Sequence, residues 1–184
     1  MTSRASDAPF LWNVAGLLGE FAGAERTYRL DAATIDLGEG LQLAEPVVGR
    51  VRLMRTNRGI LAMAELRTAL AEACSRCLRE IAFPVEVQLE EEYLPSIDLG
   101  TGHPLAADDE PDVLRLTDHH ELDLETPVRE AIQLAEPIAP LCRPDCPGLC
   151  IVCGGRLDEG LHDHPVDDID PRLEALRGFK VVGD

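Results

Sequence analysis

The chain has 184 residues, of which 45% are apolar and 4% aromatic, and its formal net charge is −17. This length suits one domain of ordinary size, alone or with a small extension held together by a metal ion, and it excludes two full-sized domains. The apolar content excludes a disordered chain. The acidic excess lies after residue 79, where 25 acidic residues face seven basic ones. The negative charge of this C-terminal part of the chain repels nucleic acid and favours a basic protein partner.

The first predicted element is a helix within an N-terminal segment of residues 1–24. Apolar residues recur there at helical spacing, at Phe10, Val14, Leu17, Leu18 and Phe21. Acidic and polar residues interrupt this stretch, which argues against an export signal, and no other segment approaches the length of a membrane span. The sequence therefore predicts a cytoplasmic protein, in which cysteines serve as metal ligands or thiols rather than disulfides.

A β domain is predicted over residues 25–116. Alternating apolar residues predict strands at 28–37, 47–54, 60–66 and 81–93, with a shorter one at 113–116. Asn57-Arg58-Gly59 is typical of a hairpin loop, and residues 95–112, rich in proline, glycine and acids, of a mobile loop. Successive hairpins explain this order most simply, so we expect an antiparallel, partly closed sheet.

Residues 117–184 are predicted to hold a helix, a cysteine cluster and a tail packed on the β domain. Apolar spacing predicts the helix over residues 124–135, with Thr126 as a candidate cap and Pro127 in its first turn. A second short helix is predicted from Pro171 to Arg177. The expected fold class is α+β, with an N-terminal helix, a C-terminal helix and a zinc-stapled loop.

All six cysteines fall into two groups, Cys74-x2-Cys77 and Cys142-x3-Cys146-x3-Cys150-x2-Cys153. A Cys-x2-Cys turn presents two sulfurs to one metal, and zinc takes four thiolates in tetrahedral geometry. Local spacing favours one structural zinc on the four C-terminal cysteines, Cys142, Cys146, Cys150 and Cys153. The alternative set is a split zinc ribbon of Cys74, Cys77, Cys150 and Cys153.

Other interpretations of these residues carry less weight. The cysteines can be buried small residues or redox thiols, but neither Cys-x2-Cys pair opens a helix as a thiol oxidoreductase requires. His162 and His164 lie close enough to replace a cysteine ligand, but acidic residues flank them, so we interpret them as solvated loop residues, like His119 and His120. No catalytic motif is present, and we expect no enzymatic activity.

Residues 50–79 form the only stretch with the charge pattern of a phosphate contact, with seven arginines against two glutamates. The candidate RNA contacts are Arg50, Arg52, Arg55, Arg58, Arg76 and Arg79. The alternative is that these side chains form the solvated face of a sheet.

Three segments together resemble the YceD-type large ribosomal RNA subunit accumulation proteins: Cys-Ser-Arg-Cys-Leu at 74–78, Glu-Glu-Glu-Tyr at 90–93, and the cysteine-rich segment at 140–154. The likeness covers roughly residues 25–160, and the tail departs from it, since Arg156-Leu157-Asp158 stands where Asn-Leu-Asn is common. The resemblance implies a role in the synthesis, processing or stability of large-subunit ribosomal RNA, with no catalytic residue.

Charge asymmetry adds a hypothesis about partners: the arginine stretch contacts ribosomal RNA or a pre-ribosome, while the acidic half engages a basic ribosomal protein. A zinc-stabilised interaction module or chaperone without RNA contact is the alternative, and a thiol oxidoreductase ranks last.

Overall fold

The computed structural model describes residues 8–38, 40–105, 113–164 and 171–176. The strands are β1 (Leu11–Asn13), β2 (Glu25–Ala33), β3 (Leu43–Arg55), β4 (Ile60–Ala73), β5 (Glu80–Leu94), β6 (Leu114–Arg115) and β7 (Glu121–Asp123). The helices are α1 (Ala15–Leu18) and α2 (Glu125–Leu134), followed by a 3-10 helix over Pro171–Leu176. Within these described residues, no helix is both long and apolar enough to cross a membrane.

A five-stranded sheet in the order β2-β3-β4-β5-β6 forms the body of the protein, and β1 pairs separately with β7. The α+β expectation is consistent with this architecture, but the sheet is mixed and open rather than antiparallel and partly closed. The mixed character arises because β6 pairs parallel to the end of β5. With only two residues, β6 offers too short an edge for β2 to close against.

The hairpins themselves are confirmed. At the β3–β4 turn, the Thr56 amide donates to the Gly59 carbonyl at 3.0 Å, and Arg55 pairs with Ile60. A Cβ at position 59 would lie 2.0 Å from the Tyr93 carbonyl oxygen, which explains the glycine. β4 continues to Ala73, seven residues beyond its predicted end.

Helix α2 packs on the apolar face of the sheet, and its Val128 and Ile132 are fully buried. Its bounds agree with the prediction, but the first turn is capped differently. Leu124 occupies the N-cap position and Thr126 does not cap the helix; the Glu125 amide donates instead to the Asp123 carboxylate at the end of β7, at 2.8 Å.

The N-terminal helix is much shorter than predicted. Residues 11–13 form a strand against residues 121–123, and only Ala15–Leu18 are helical. Four members of the apolar stripe are buried, but Phe21 is 94% exposed. A short isolated helix is marginal in water, so pairing with a strand distant in sequence prevails. Residues 1–7 of the predicted segment lie outside the described residues.

Two other predicted segments are described only in part. Within residues 95–105, Asp98 accepts hydrogen bonds from the amides of Gly100 and Thr101, so this part of the predicted loop is a tight turn. Residues 106–112 lie outside the described residues. The last predicted helix is of the 3-10 type, and its Arg177 also lies outside them.

Candidate metal centre

Four cysteines from two distant parts of the chain meet beside the sheet: Cys74, Cys77, Cys142 and Cys146, here called the thiolate cluster. Their sulfurs all lie within 4.8 Å of one another. The Cys74 and Cys146 sulfurs are 3.8 Å apart, and those of Cys77 and Cys142 are 3.7 Å apart. Four thiolates at 2.3 Å around a tetrahedral zinc ion are separated by about 3.8 Å. The spacing of the sulfurs therefore fits a single metal ion.

The β4–β5 hairpin supplies the first two sulfurs. Its loop is closed by hydrogen bonds from the Cys74 amide to the Arg79 carbonyl at 2.8 Å and from the Leu78 amide to the Cys74 carbonyl at 2.9 Å. Leu78 adopts a left-handed conformation, with φ of 57°. The loop backbone folds back around the sulfurs of Cys74 and Cys77, as the Cys-x2-Cys turn of a zinc site requires.

Hydrogen bonds join this hairpin to the tail that carries the other two sulfurs. The Ser75 amide donates to the Pro140 carbonyl at 2.8 Å, and the Arg76 guanidinium donates to the Cys146 carbonyl at 3.0 Å. Leu141 and Leu149 pack against the sulfurs. The tail is thus held at the hairpin by direct contacts as well as by the cluster.

Three cysteines of the thiolate cluster are buried and Cys142 is half-buried, and the four thiols differ in electrostatic environment. Cys74, Cys77 and Cys146 are each at most 3% exposed. Backbone hydrogen bonds, first from Cys142 and then from Cys77, lower the pKa of Cys74, whereas burial raises the pKa of Cys142 and of Cys146. Buried thiolates require a compensating positive charge, and a divalent cation supplies it.

A second group comprises Cys150, Cys153, His162 and His164, here called the Cys/His cluster. Its ligand atoms also lie within 4.8 Å of one another, and all six cysteines of the protein are free thiols. Both clusters contain the residue types that bind a transition metal such as zinc.

Neither predicted ligand set is brought together. The structure divides Cys142, Cys146, Cys150 and Cys153 between the two clusters, and it places Cys74 and Cys77 with Cys142 and Cys146 rather than with Cys150 and Cys153. The cause is that the hairpin loop docks against residues 140–146, a pairing that spacing along the chain does not encode.

The sequence indicates solvated side chains for His162 and His164, but both are half-buried. The sequence pattern that could identify these two histidines as metal ligands is the spacing Cys-x2-Cys-x8-His-x-His, which begins at Cys150.

The six arginines predicted to contact RNA lie in different environments. Arg55 binds the carbonyls of Leu18, Thr56 and Gly59, and Arg79 pairs with Asp158 and Glu159. Arg76 holds the tail, as described above.

Arg50, Arg52 and Arg58 are exposed. On the solvent face of the sheet, however, Arg50 pairs with Arg29 on one side and with Glu65 on the other. Arg50 therefore has one basic and one acidic neighbour across the sheet.

The fold and these clusters define the chain as a β-sheet protein whose hairpin loop and tail share a set of metal-competent cysteines. The family described as "Large ribosomal RNA subunit accumulation protein YceD" matches residues 63–180, a range that contains all six cysteines. The chain belongs to this family.

Its curated relatives include uncharacterized proteins of Mycobacterium tuberculosis and Mycobacterium bovis, each 34% identical over 152 residues. An uncharacterized protein of Mycobacterium leprae is 29% identical over 136 residues. These matches cover 80% and 71% of this chain, but only 65% and 58% of the relatives. No solved structure matches the chain.

Proposed function

We propose that this protein is a cytoplasmic, non-catalytic factor in ribosome biogenesis that supports the accumulation of large-subunit ribosomal RNA. The observation that carries the proposal is the family match over residues 63–180, which includes β5, α2 and both clusters. Because the chain spans 65% of the length of the mycobacterial relatives, the partners and the step of assembly named here are part of the proposal.

In this proposal the thiolate cluster holds one structural zinc ion. Four protein thiolates complete a tetrahedral shell and leave no position for water or substrate, so the ion stabilises structure rather than activating a ligand. Its effect is to fix the tail that begins at Pro140, a few residues after α2, against the loop between β4 and β5.

The RNA-contacting surface in this proposal is narrower than the sequence alone indicates. Arg50 and Arg52 project from the solvent face of β3, and Arg58 lies in the β3–β4 turn. These three side chains are exposed, whereas Arg55 and Arg79 are engaged within the protein. An RNA contact through exposed arginines would weaken as salt rises, with a slope set by the number of phosphates neutralised.

A basic protein partner is favoured by a separate observation, an acidic groove between α2 and the end of β4. The groove has a volume of about 640 Å³, and Glu72, Glu130 and Glu136 line it together with Leu134. Leu134 is 88% exposed, and one carboxylate oxygen of Glu72 is buried without a hydrogen-bond partner. A lysine or arginine side chain from a ribosomal protein would satisfy that oxygen and bury the leucine.

The test of the proposed function is complementation. In cells depleted of the protein, we expect large-subunit ribosomal RNA to fall relative to small-subunit RNA and to recover with the wild-type gene. The Cys74→Ser/Cys77→Ser variant should fail to restore it, and Glu90→Gln, on the solvent face of β5, serves as a matched control. An unchanged ratio of the two RNAs after depletion would contradict the proposal.

Pull-down with and without nuclease separates the two partner surfaces. If the arginines contact RNA, Arg50→Glu/Arg52→Glu lowers recovery of precursor RNA and flattens its salt dependence. If the groove binds protein, Glu130→Lys/Glu136→Lys lowers recovery of a basic protein that survives nuclease treatment. Loss of RNA recovery with neither variant would leave the interaction module without RNA contact as the better description.

A further inference from the structure

The Cys/His cluster repeats the backbone geometry of the thiolate cluster. The Cys150 amide donates to the Gly155 carbonyl at 2.7 Å, and the Gly154 amide donates to the Cys150 carbonyl at 2.9 Å. These bonds occupy the same relative positions as those that close the loop at Cys74. Gly154 is also left-handed, with φ of 69°, as Leu78 is in the first loop. The two Cys-x2-Cys turns are therefore the same local structure.

Backbone amides of each turn approach its first sulfur. At Cys74 these are the amides of Cys77 and Arg76, in addition to that of Cys142 from the tail, and at Cys150 they are the amides of Cys153 and Val152. Backbone amides that converge on a sulfur favour its thiolate form, which is the form that binds metal.

His162 is held in the tautomer that binds metal. Its Nε2 lies 2.8 Å from the Arg156 carbonyl oxygen, and because a carbonyl only accepts, Nε2 must carry the proton. In the neutral ring, Nδ1 then carries the lone pair, and it lies 3.4 Å from the Cys153 sulfur. A tetrahedral zinc ion with one sulfur and one nitrogen ligand separates them by about 3.6 Å. A carbonyl that fixes the other ring nitrogen is the usual support for a metal-bound histidine.

His164 supplies an independent observation. Its Nε2 is buried and has no hydrogen-bond partner, an arrangement that native structures rarely leave unexplained. The packing around the ligands is also close: a Cβ at Gly155 would lie 3.0 Å from His162 Cε1 and 3.4 Å from the Cys153 sulfur. The nitrogen without a partner and the glycine beside the imidazole are both accounted for by an ion at the centre of the four ligand atoms.

We propose that the Cys/His cluster is a second zinc site, so that the protein binds two zinc ions with different ligand sets, one of four sulfurs and one of two sulfurs and two nitrogens. The clusters share no ligand, but Arg156 connects them, since its Nε donates to the Cys77 carbonyl at 3.0 Å and its own carbonyl holds His162. Cys153 is exposed, so the second ion exchanges faster than the first.

The second ion would order the loop that covers the first site. This loop places Asp158 and Glu159 at 3.2 and 3.0 Å from the Arg79 guanidinium. The inference goes beyond the proposed role in ribosomal RNA accumulation, because the number of bound ions does not depend on which partner the protein serves.

The test is the zinc content of the full-length protein purified under reducing conditions, measured by mass spectrometry with the protein concentration determined independently. We expect two zinc ions per chain in the wild type and one in His162→Ala/His164→Ala. Cys74→Ser/Cys77→Ser should also retain one, and the control His103→Ala/His119→Ala, which changes two exposed histidines, should retain two. A wild type with a single ion, or a histidine variant with as many ions as the wild type, overturns the proposal.

A measurement on the wild type keeps the test decisive if a variant fails to fold. Replacement of zinc by cadmium-113 should give two nuclear magnetic resonance signals, one typical of four sulfur ligands and one shifted towards mixed sulfur and nitrogen coordination. One signal, or two in the four-sulfur range, overturns the proposal. The ribosomal RNA ratio after depletion is measured separately, so either hypothesis can fail while the other stands.

Discussion

Removal of metal from the thiolate cluster should lower the free energy of unfolding by several kcal/mol. A metal bound there joins the β4–β5 loop to the tail, and Cys77 and Cys142 are 65 residues apart in sequence. The chain entropy that a cross-link of this span removes from the unfolded state is about 4 kcal/mol at 25 °C. The buried thiols left behind would add to the loss, so about 4 kcal/mol is the lower limit of the expected effect.

The assay is urea unfolding of the His162→Ala/His164→Ala variant, measured with and without a chelator. Unfolding is monitored by the fluorescence of Trp12, whose ring lies 5.6 Å from that of Tyr28, centroid to centroid. This background isolates the thiolate cluster. With a urea dependence of about 2 kcal/mol per M for a chain of this size, the urea midpoint should fall by at least about 2 M. Cys74→Ser/Cys77→Ser should not respond to chelator in the same background. An unchanged midpoint in the histidine variant would refute the idea that a metal ties the tail to the sheet.

Three further predictions concern the fold that positions the clusters. Gly59→Ala should lower the free energy of unfolding by about 1–3 kcal/mol or more, because the new methyl group meets the Tyr93 carbonyl. The control is Gly19→Ala, whose new methyl group would be 3.7 Å from its nearest neighbour. Equal urea midpoints for the two variants would contradict the argument. Tyr93→Phe should lower the free energy of unfolding by about 1 kcal/mol, since the phenol donates a hydrogen bond to the Asp123 carbonyl at 2.6 Å. Thermal unfolding measures the change in stability, and an unchanged melting temperature would show that the bond contributes nothing. Leu78→Gly should raise stability by up to about 1 kcal/mol, because Leu78 is 61% exposed and left-handed; a lower melting temperature with metal bound would contradict this.

Strand and helix positions were largely predictable because they depend on local periodicity. The alternation from Val47 to Leu53 indicates which side chains of β3 face the core, and Val51 and Leu53 are indeed fully buried. The spacing that predicts α2 works for the same reason, since Val128 and Ile132 lie on one face of a helix. Asn57-Arg58-Gly59 identifies its turn through local turn chemistry, although the close contact that requires glycine at position 59 comes from Tyr93 on β5.

The N-terminal segment shows where periodicity fails. Phe10, Val14, Leu17 and Leu18 are buried as a helical stripe requires, yet residues 11–13 are extended. The Asn13 side chain donates to the His119 carbonyl at 2.9 Å, and the backbone on either side pairs with β7. These partners lie more than 100 residues away, so no local pattern reveals them.

By itself, the sequence determined the chemistry of the candidate sites: six cysteines in two groups, Cys-x2-Cys turns that present thiols to a metal, and a family likeness that the match over residues 63–180 confirms. Only the tertiary structure decided the grouping of the ligands. A Cys-x2-Cys turn brings two sulfurs together through its own backbone, but the other two ligands come from wherever the chain docks. Here the hairpin loop docks on residues 140–146, so Cys142 and Cys146 join Cys74 and Cys77, while Cys150 and Cys153 are left facing His162 and His164.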